Sequence, residues 1–121
     1  MAWNLRSDRP IYTQLVEEIE LMIVSGIFPA GSRLPSVRDI ASEASVNPNT
    51  MQRALAQLET EGLIYSQRTS GRFVTEDVDK IMQVKNNLAL DLIREFMKNM
   101  EGLGYTKEQA IQLLEKAPEE E

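Results

Sequence analysis

The sequence predicts a mainly α fold with a small β-hairpin wing, and three observations carry that prediction. Two short apolar-periodic segments meet at a tight turn within residues 34–58. Two short β-prone runs then follow Gly62, Leu63-Ile64-Tyr65-Ser66 and Arg72-Phe73-Val74, separated by the turn-rich Gln67-Arg68-Thr69-Ser70-Gly71. Finally, the composition changes at Thr75-Glu76-Asp77, and a long helical apolar stripe begins. Together these predict a winged helix-turn-helix domain over residues 1–75 and a two-helix C-terminal region over residues 76–121.

Taken in order, Trp3 and Leu5 are large apolar residues in a short leader and should pack back on the body. A helix then opens around Arg9-Pro10, with Ser7 or Asp8 as caps and Pro10 in its first turn. Its buried stripe is Ile11, Leu15, Ile19, Met22 and Ile23, with Gln14, Glu17, Glu18 and Glu20 facing water. Gly26 stands where a left-handed C-terminal cap belongs. Residues 27–35 read as a turn-rich connection anchored by Ile27, Phe28 and Leu34, with a short extended piece near Ser32–Leu34.

Ser36 should cap the next helix, because its hydroxyl accepts a bond from an orphan amide of the first turn. Val37, Ile40, Ala41 and Ala44 form its apolar stripe. Asn47 caps the following helix with Pro48 at its first position, where the missing N–H costs nothing. Met51, Ala54, Leu55 and Leu58 are its buried face, and Glu61-Gly62 ends it. Beyond the hairpin, Thr75 followed by acids should start a helix whose apolar face is Val78, Ile81, Met82, Leu88, Ala89, Leu92, Ile93, Phe96, Met97 and Met100. Gly102 and Gly104 break it. Thr106 caps a last helix carrying Ala110, Ile111, Leu113 and Leu114, before Pro118 and an acidic, frayed end.

Polar side chains crowd the start of the helix that Asn47 caps: Asn49, Thr50, Gln52 and Arg53. Amides pair bidentately with adenine, arginine with guanine, and hydroxyls with phosphate, so this is chemistry suited to the major groove. The same residues would also make a well-capped, solvated face. Arg68 and Arg72 flank the hairpin loop, where they would follow a phosphate backbone or enter a narrow minor groove, with Gly71 permitting close approach. The alternative is a plain surface hairpin carrying two arginines.

The chain has 13 basic and 19 acidic residues and a net charge of −6. That acidity sits mostly after residue 75; before it, seven arginines and no lysine face eight acids. Screening over about 8–10 Å at physiological salt lets a local basic surface act apart from a distant acidic tail. Without cysteine there is neither a disulfide framework nor a thiolate metal site, which fits a reducing, cytoplasmic setting. Without histidine the commonest general base and transition-metal ligand are gone, and no phosphate loop is present; an enzyme is the least supported class. No membrane span or signal-peptide core is expected.

The run Pro10-Ile11-Tyr12, Gln14-Leu15, Gly26-Ile27, Pro29-Ala30-Gly31, Leu34-Pro35-Ser36-Val37-Arg38, Val46-Asn47-Pro48-Asn49-Thr50, Leu58-Glu59, Gly62-Leu63-Ile64, Arg68, Gly71 and Phe73-Val74 resembles the DNA-binding domain of GntR family transcription regulators, over about residues 8–75. The Asn-Pro-Asn-Thr run and short helical tail resemble the YtrA subfamily, whose small C-terminal region dimerises and whose members commonly sit beside ABC-transporter genes. The resemblance implies that Arg38 reaches a base or phosphate and that Asn47, Asn49 and Thr50 contact phosphates and base edges. It implies further that Ser70 and Gly71, flanked by Arg68 and Arg72, form the wing tip, while Arg33 and Ser36 touch the backbone. Gln52 stands where many relatives carry a base-reading arginine, which shifts the expected readout toward adenine. Larger relatives hold a metal through histidines; this chain has none, so no metal or other cofactor is carried over.

The expectation is a homodimeric, sequence-specific regulator of double-stranded DNA, a repressor on a palindromic operator, joined through Ile81, Met82, Leu88, Ala89, Leu92, Ile93, Phe96, Met97 and Met100. Two alternatives stand beside it. One is a small-molecule sensor with an effector pocket among Phe96, Met97 and Met100; the other is a winged-helix protein-interaction module that does not bind DNA.

Overall fold

The computed structural model describes residues 3–119; the acidic end expected at Glu120 and Glu121 lies outside them. The elements are α1 (Ile11–Val24), α2 (Val37–Ala44), α3 (Pro48–Thr60), β1 (Ile64–Gln67), β2 (Gly71–Val74), α4 (Val78–Gly102) and α5 (Lys107–Lys116). Contacts divide them into two compact units, one reaching Lys85 and the other starting at Asn86, inside α4.

In the first unit, α1, α2 and α3 surround a core of Leu15, Ile19, Met51, Leu55 and Leu58, closed by Leu63, just before the hairpin, and by Val74 of β2. Trp3 and Leu5 pack against this core, and the Trp3 indole Nε1 donates to Glu43 Oε1 at 3.2 Å. The start of α1 differs from expectation. Pro10 is itself the N-cap residue and no side chain caps the helix. Ser7 and Asp8 therefore have no capping role.

Gln14 is also a correction, because it is buried rather than solvated. Its Oε1 accepts from the Arg6 amide at 2.7 Å, and its Nε2 donates to the carbonyls of Arg6 at 2.7 Å and Arg9 at 3.1 Å. A buried amide side chain is costly unless satisfied, and these bonds satisfy it while pinning the leader to α1. Val16, outside the expected stripe, is buried as well.

Gly26 adopts φ +87° after α1, as a left-handed cap requires. The Phe28 amide then reaches back to the Met22 carbonyl at 3.0 Å, turning Phe28 inward. Ile27 points out instead, and is 56% exposed, so it anchors nothing in the monomer. The expected extended piece forms: the Leu34 amide donates to the Arg72 carbonyl at 2.8 Å and the Val74 amide to the Ser32 carbonyl at 2.9 Å. Residue 33 thus bridges β2 as a third, one-residue strand.

β1 and β2 pair antiparallel with Ile64 opposite Val74 and Gln67 opposite Gly71. Tyr65 and Phe73 face each other across the pair with ring centroids 5.8 Å apart. Both strands are shifted from expectation: β1 starts at Ile64 and takes in Gln67, and β2 takes in Gly71. The loop is correspondingly shorter.

α4 starts later than Thr75. The Thr75 hydroxyl accepts from the Asp77 amide at 3.1 Å, and Asp77 Oδ1 accepts from the Lys80 amide at 3.1 Å, so Asp77 is the cap. Ile81 and Val84 pack against the core of the first unit, and each stays half-buried. Gly102 is the last residue of α4, and the turn falls at Gly104, with φ +97° and the Tyr105 amide on the Met100 carbonyl at 3.0 Å. Thr106 caps α5 in a reciprocal capping box with Gln109. Ala110 is buried, whereas Ile111, Leu113 and Leu114 are exposed.

Candidate nucleic-acid interface

The helix-turn-helix is built by two caps. The Ser36 hydroxyl accepts from the Asp39 amide at 3.1 Å and starts α2. The Asn47 Oδ1 accepts from the Asn49 amide at 2.7 Å and starts α3 on Pro48. Between them Ser45, at φ +59°, supplies a left-handed turn without a glycine. Serine tolerates that conformation poorly, so the turn is held by the Val46 amide bonding back to the Ala41 carbonyl at 3.0 Å.

The first two turns of α3 are laid open by this arrangement. Asn47, Asn49, Gln52 and Arg53 are exposed and Thr50 is half-buried, while Met51, Ala54, Leu55 and Leu58 hold the opposite face in the core. Ser36 and Arg38 are exposed at the start of α2, and Arg68, Ser70 and Gly71 are exposed at the hairpin tip. At the hairpin tip Arg33 lies over Gly71: a Cβ there would come within 3.2 Å of the Arg33 Nε. The close approach that Gly71 permits is thus made first by the chain's own arginine.

The arginines of the first 75 residues sort into two groups. Arg6 pairs with Asp8, Arg9 with Glu17 at 2.7 Å, and Arg72 with Glu59 at 3.0 Å. Arg33, Arg38, Arg53 and Arg68 make no ion pair among the described residues. A guanidinium left without a carboxylate keeps its charge and donors for a phosphate or a guanine.

Arg72, expected along a phosphate backbone or in the minor groove, is engaged within the fold by Glu59. It is only 19% exposed, and Glu59, which it meets, also accepts from the Ser66 hydroxyl at 2.8 Å. One carboxylate of α3 ties both strands of the hairpin to that helix. Arg53 is held differently, its Cζ 3.7 Å from the centroid of the Tyr12 ring on α1. Neither the pairing of Arg72 with Glu59 nor that of Arg53 with Tyr12 is visible in the sequence, since each forms only across the fold.

Behind this surface α1 and α3 bring Glu20 close to Glu61. Burial raises the Glu20 carboxyl from 4.5 to about 7, and hydrogen bonding to Glu61 with the charges of Glu61 and Glu17 adds to the rise. Among the described residues no group of three or more His, Cys, Asp or Glu is placed to hold a metal, and no helix is long and apolar enough to cross a membrane.

The profile of the bacterial regulatory proteins of the gntR family matches residues 11–74. The chain is 35% identical to the HTH-type transcriptional repressor YtrA of Bacillus subtilis over 95 residues, 78% of this chain and 71% of that one. Its fold resembles a GntR family transcriptional regulator from Listeria monocytogenes with a TM-score of 0.87 at 40% identity, covering 94% of this chain and 100% of that one. The DNA-binding domain of AraR in complex with operator ORX1 is similar at TM-score 0.54 and 27% identity, over 62% of this chain and 93% of that one. Such relatives are regulators of transcription rather than enzymes. With the open α3 start and the four unpaired arginines, these similarities identify the chain as a member of the GntR family, YtrA-like, and a DNA-binding transcriptional regulator.

Proposed function

We propose that the protein is a repressor that binds a palindromic operator as a homodimer, through a DNA-binding domain over residues 1–75 and a dimerisation region over residues 76–121. The observation that carries the dimer is the apolar surface of the second unit. Leu92 is 72% exposed, and Ile93 and Phe96 of α4, Leu103 of the turn and Leu114 of α5 are exposed as well. Leu88, Met97 and Met100 are half-buried, and Ala89 is exposed. An apolar surface of this extent is stabilised by a partner, and a second copy supplies the same side chains.

Each head then presents α3 to one half-site. Asn49 and Gln52 read base edges; Asn47, Thr50, Ser36 and Arg33 hold the backbone; Arg38 takes a base or a phosphate. Arg68, Ser70 and Gly71 approach the minor groove, and Arg72 keeps the wing in place through Glu59. The repressor assignment follows the similarity to YtrA, and an ABC-transporter operon is the target which the subfamily resemblance suggests.

Sedimentation equilibrium and DNase protection of the region upstream of the chain's own gene test this together. A two-protomer mass without DNA and a protected inverted repeat, with half-site centres about one duplex turn (10–12 base pairs) apart, support it. A single protomer at footprinting concentrations, or protection without symmetry, contradicts it.

A further inference from the structure

Tyr12 lies outside the helix-turn-helix, yet its ring carries the guanidinium of Arg53 at 3.7 Å from centroid to Cζ. Arg53 makes no ion pair and no side-chain hydrogen bond among the described residues, although it is exposed and carboxylates engage Arg6, Arg9 and Arg72. Stacking occupies the flat face of a guanidinium and leaves the in-plane N–H groups free. Those groups border a groove of about 530 Å³ between the starts of α1 and α3, lined by Pro10, Ile11, Tyr12, Asn49, Thr50 and Arg53. Asn49, Thr50 and Arg53 fall at i, i+1 and i+4 of α3, so Arg53 lies between the other two around the helix and about 100° from Gln52, while Asn49 lies between Arg53 and Gln52.

We infer that Tyr12 is a positioning residue for DNA binding: its ring holds Arg53 flat beside this groove, so that the free N–H edge meets a backbone phosphate. The inference rests on the proposed interface and adds to it a residue of α1. An arginine already ordered by stacking loses less side-chain entropy when it meets phosphate than one that samples freely. The contact also sets how α3 lies against the duplex, because Arg53 is fixed to α1 as well as to its own helix. Base reading by Gln52 and Asn49 then depends on a side chain that touches no base.

The test uses the intact chain and a duplex selected from random sequence by the wild-type protein, with affinity measured across a salt series. Arg53→Ala should weaken binding and lower the salt slope by about one. Tyr12→Phe keeps the ring and should bind within about twofold of wild type, whereas Tyr12→Leu should lose about three- to tenfold. In the Arg53→Ala background, Tyr12→Leu should cost nothing further. A purely structural Tyr12 would give equal losses in both backgrounds, alongside a lowered melting temperature, and that result overturns the inference. Tyr12→Phe binding as poorly as Tyr12→Leu overturns it too. If Gln52→Ala, Arg53→Ala and Arg68→Ala all bind like wild type, the interface itself is wrong; if these weaken binding and Tyr12→Leu does not, only the role of Tyr12 falls.

Discussion

Replacing Glu20 by Gln should stabilise the protein at pH 8 and leave it nearly unchanged at pH 5. Burial against α3, with Glu61 and Glu17 close by, raises the Glu20 carboxyl from 4.5 to about 7. Its protonated form is therefore favoured in the folded state. The folded chain binds more protons than the unfolded one across that interval, so stability falls as pH rises through it. The favourable contribution is full below about 4.5 and is lost by the time the pH has passed about 7. A shift of this size has an upper bound of about 3 kcal/mol, and because Glu20 is only half-buried, solvent screening reduces it to the order of 1 kcal/mol. Glutamine keeps the shape without the charge. Urea denaturation of both proteins at the two pH values measures the difference directly. Equal stability differences at pH 5 and pH 8, or a Gln variant less stable at pH 8, would refute the reasoning.

Three further outcomes are expected. Glu59→Ala and Arg72→Ala should each cost about 1–3 kcal/mol in stability, since each leaves a partly buried partner unpaired, and the double variant should cost little more than either alone. Hydrogen exchange in residues 64–74 should rise in both. Arg68→Ala should reduce DNA affinity about equally for all sequences and lower the salt slope by about one, without loss of melting temperature. Leu92→Glu, on the exposed face of α4, should shift sedimentation toward a single protomer while the circular dichroism of the helices persists; an unchanged mass would remove α4 from the dimer interface.

Local interactions explain what was legible in the sequence. The caps at Ser36, Asn47 and Thr106 act within three residues, and each forms as its residue type requires. The apolar stripe of α3 and the left-handed Gly26 are equally local. Gln14 reads as a solvated amide by residue type, although it lies three residues after Ile11 and so on the apolar face. Ile27 and Phe28 are adjacent and alike, and only the backbone bond to Met22 decides which turns inward. The candidate site divides in the same way. Its residue types and the open start of α3 could be read from the chain, but the pairing of Arg72 with Glu59 spans 13 residues and that of Arg53 with Tyr12 joins separate helices. Distances in the fold, not spacing in the chain, separate the free arginines from the engaged ones.

Selection of binding sites from random duplexes, run with the wild type and with Gln52→Ala, bears most directly on the claim that paired α3 helices read one operator. The wild type should recover an inverted repeat, and Gln52→Ala should lose preference at one symmetric pair of positions, worth about 1–3 kcal/mol each, while keeping the rest. Recovery of a lone half-site, or an identical motif from both proteins, would contradict it.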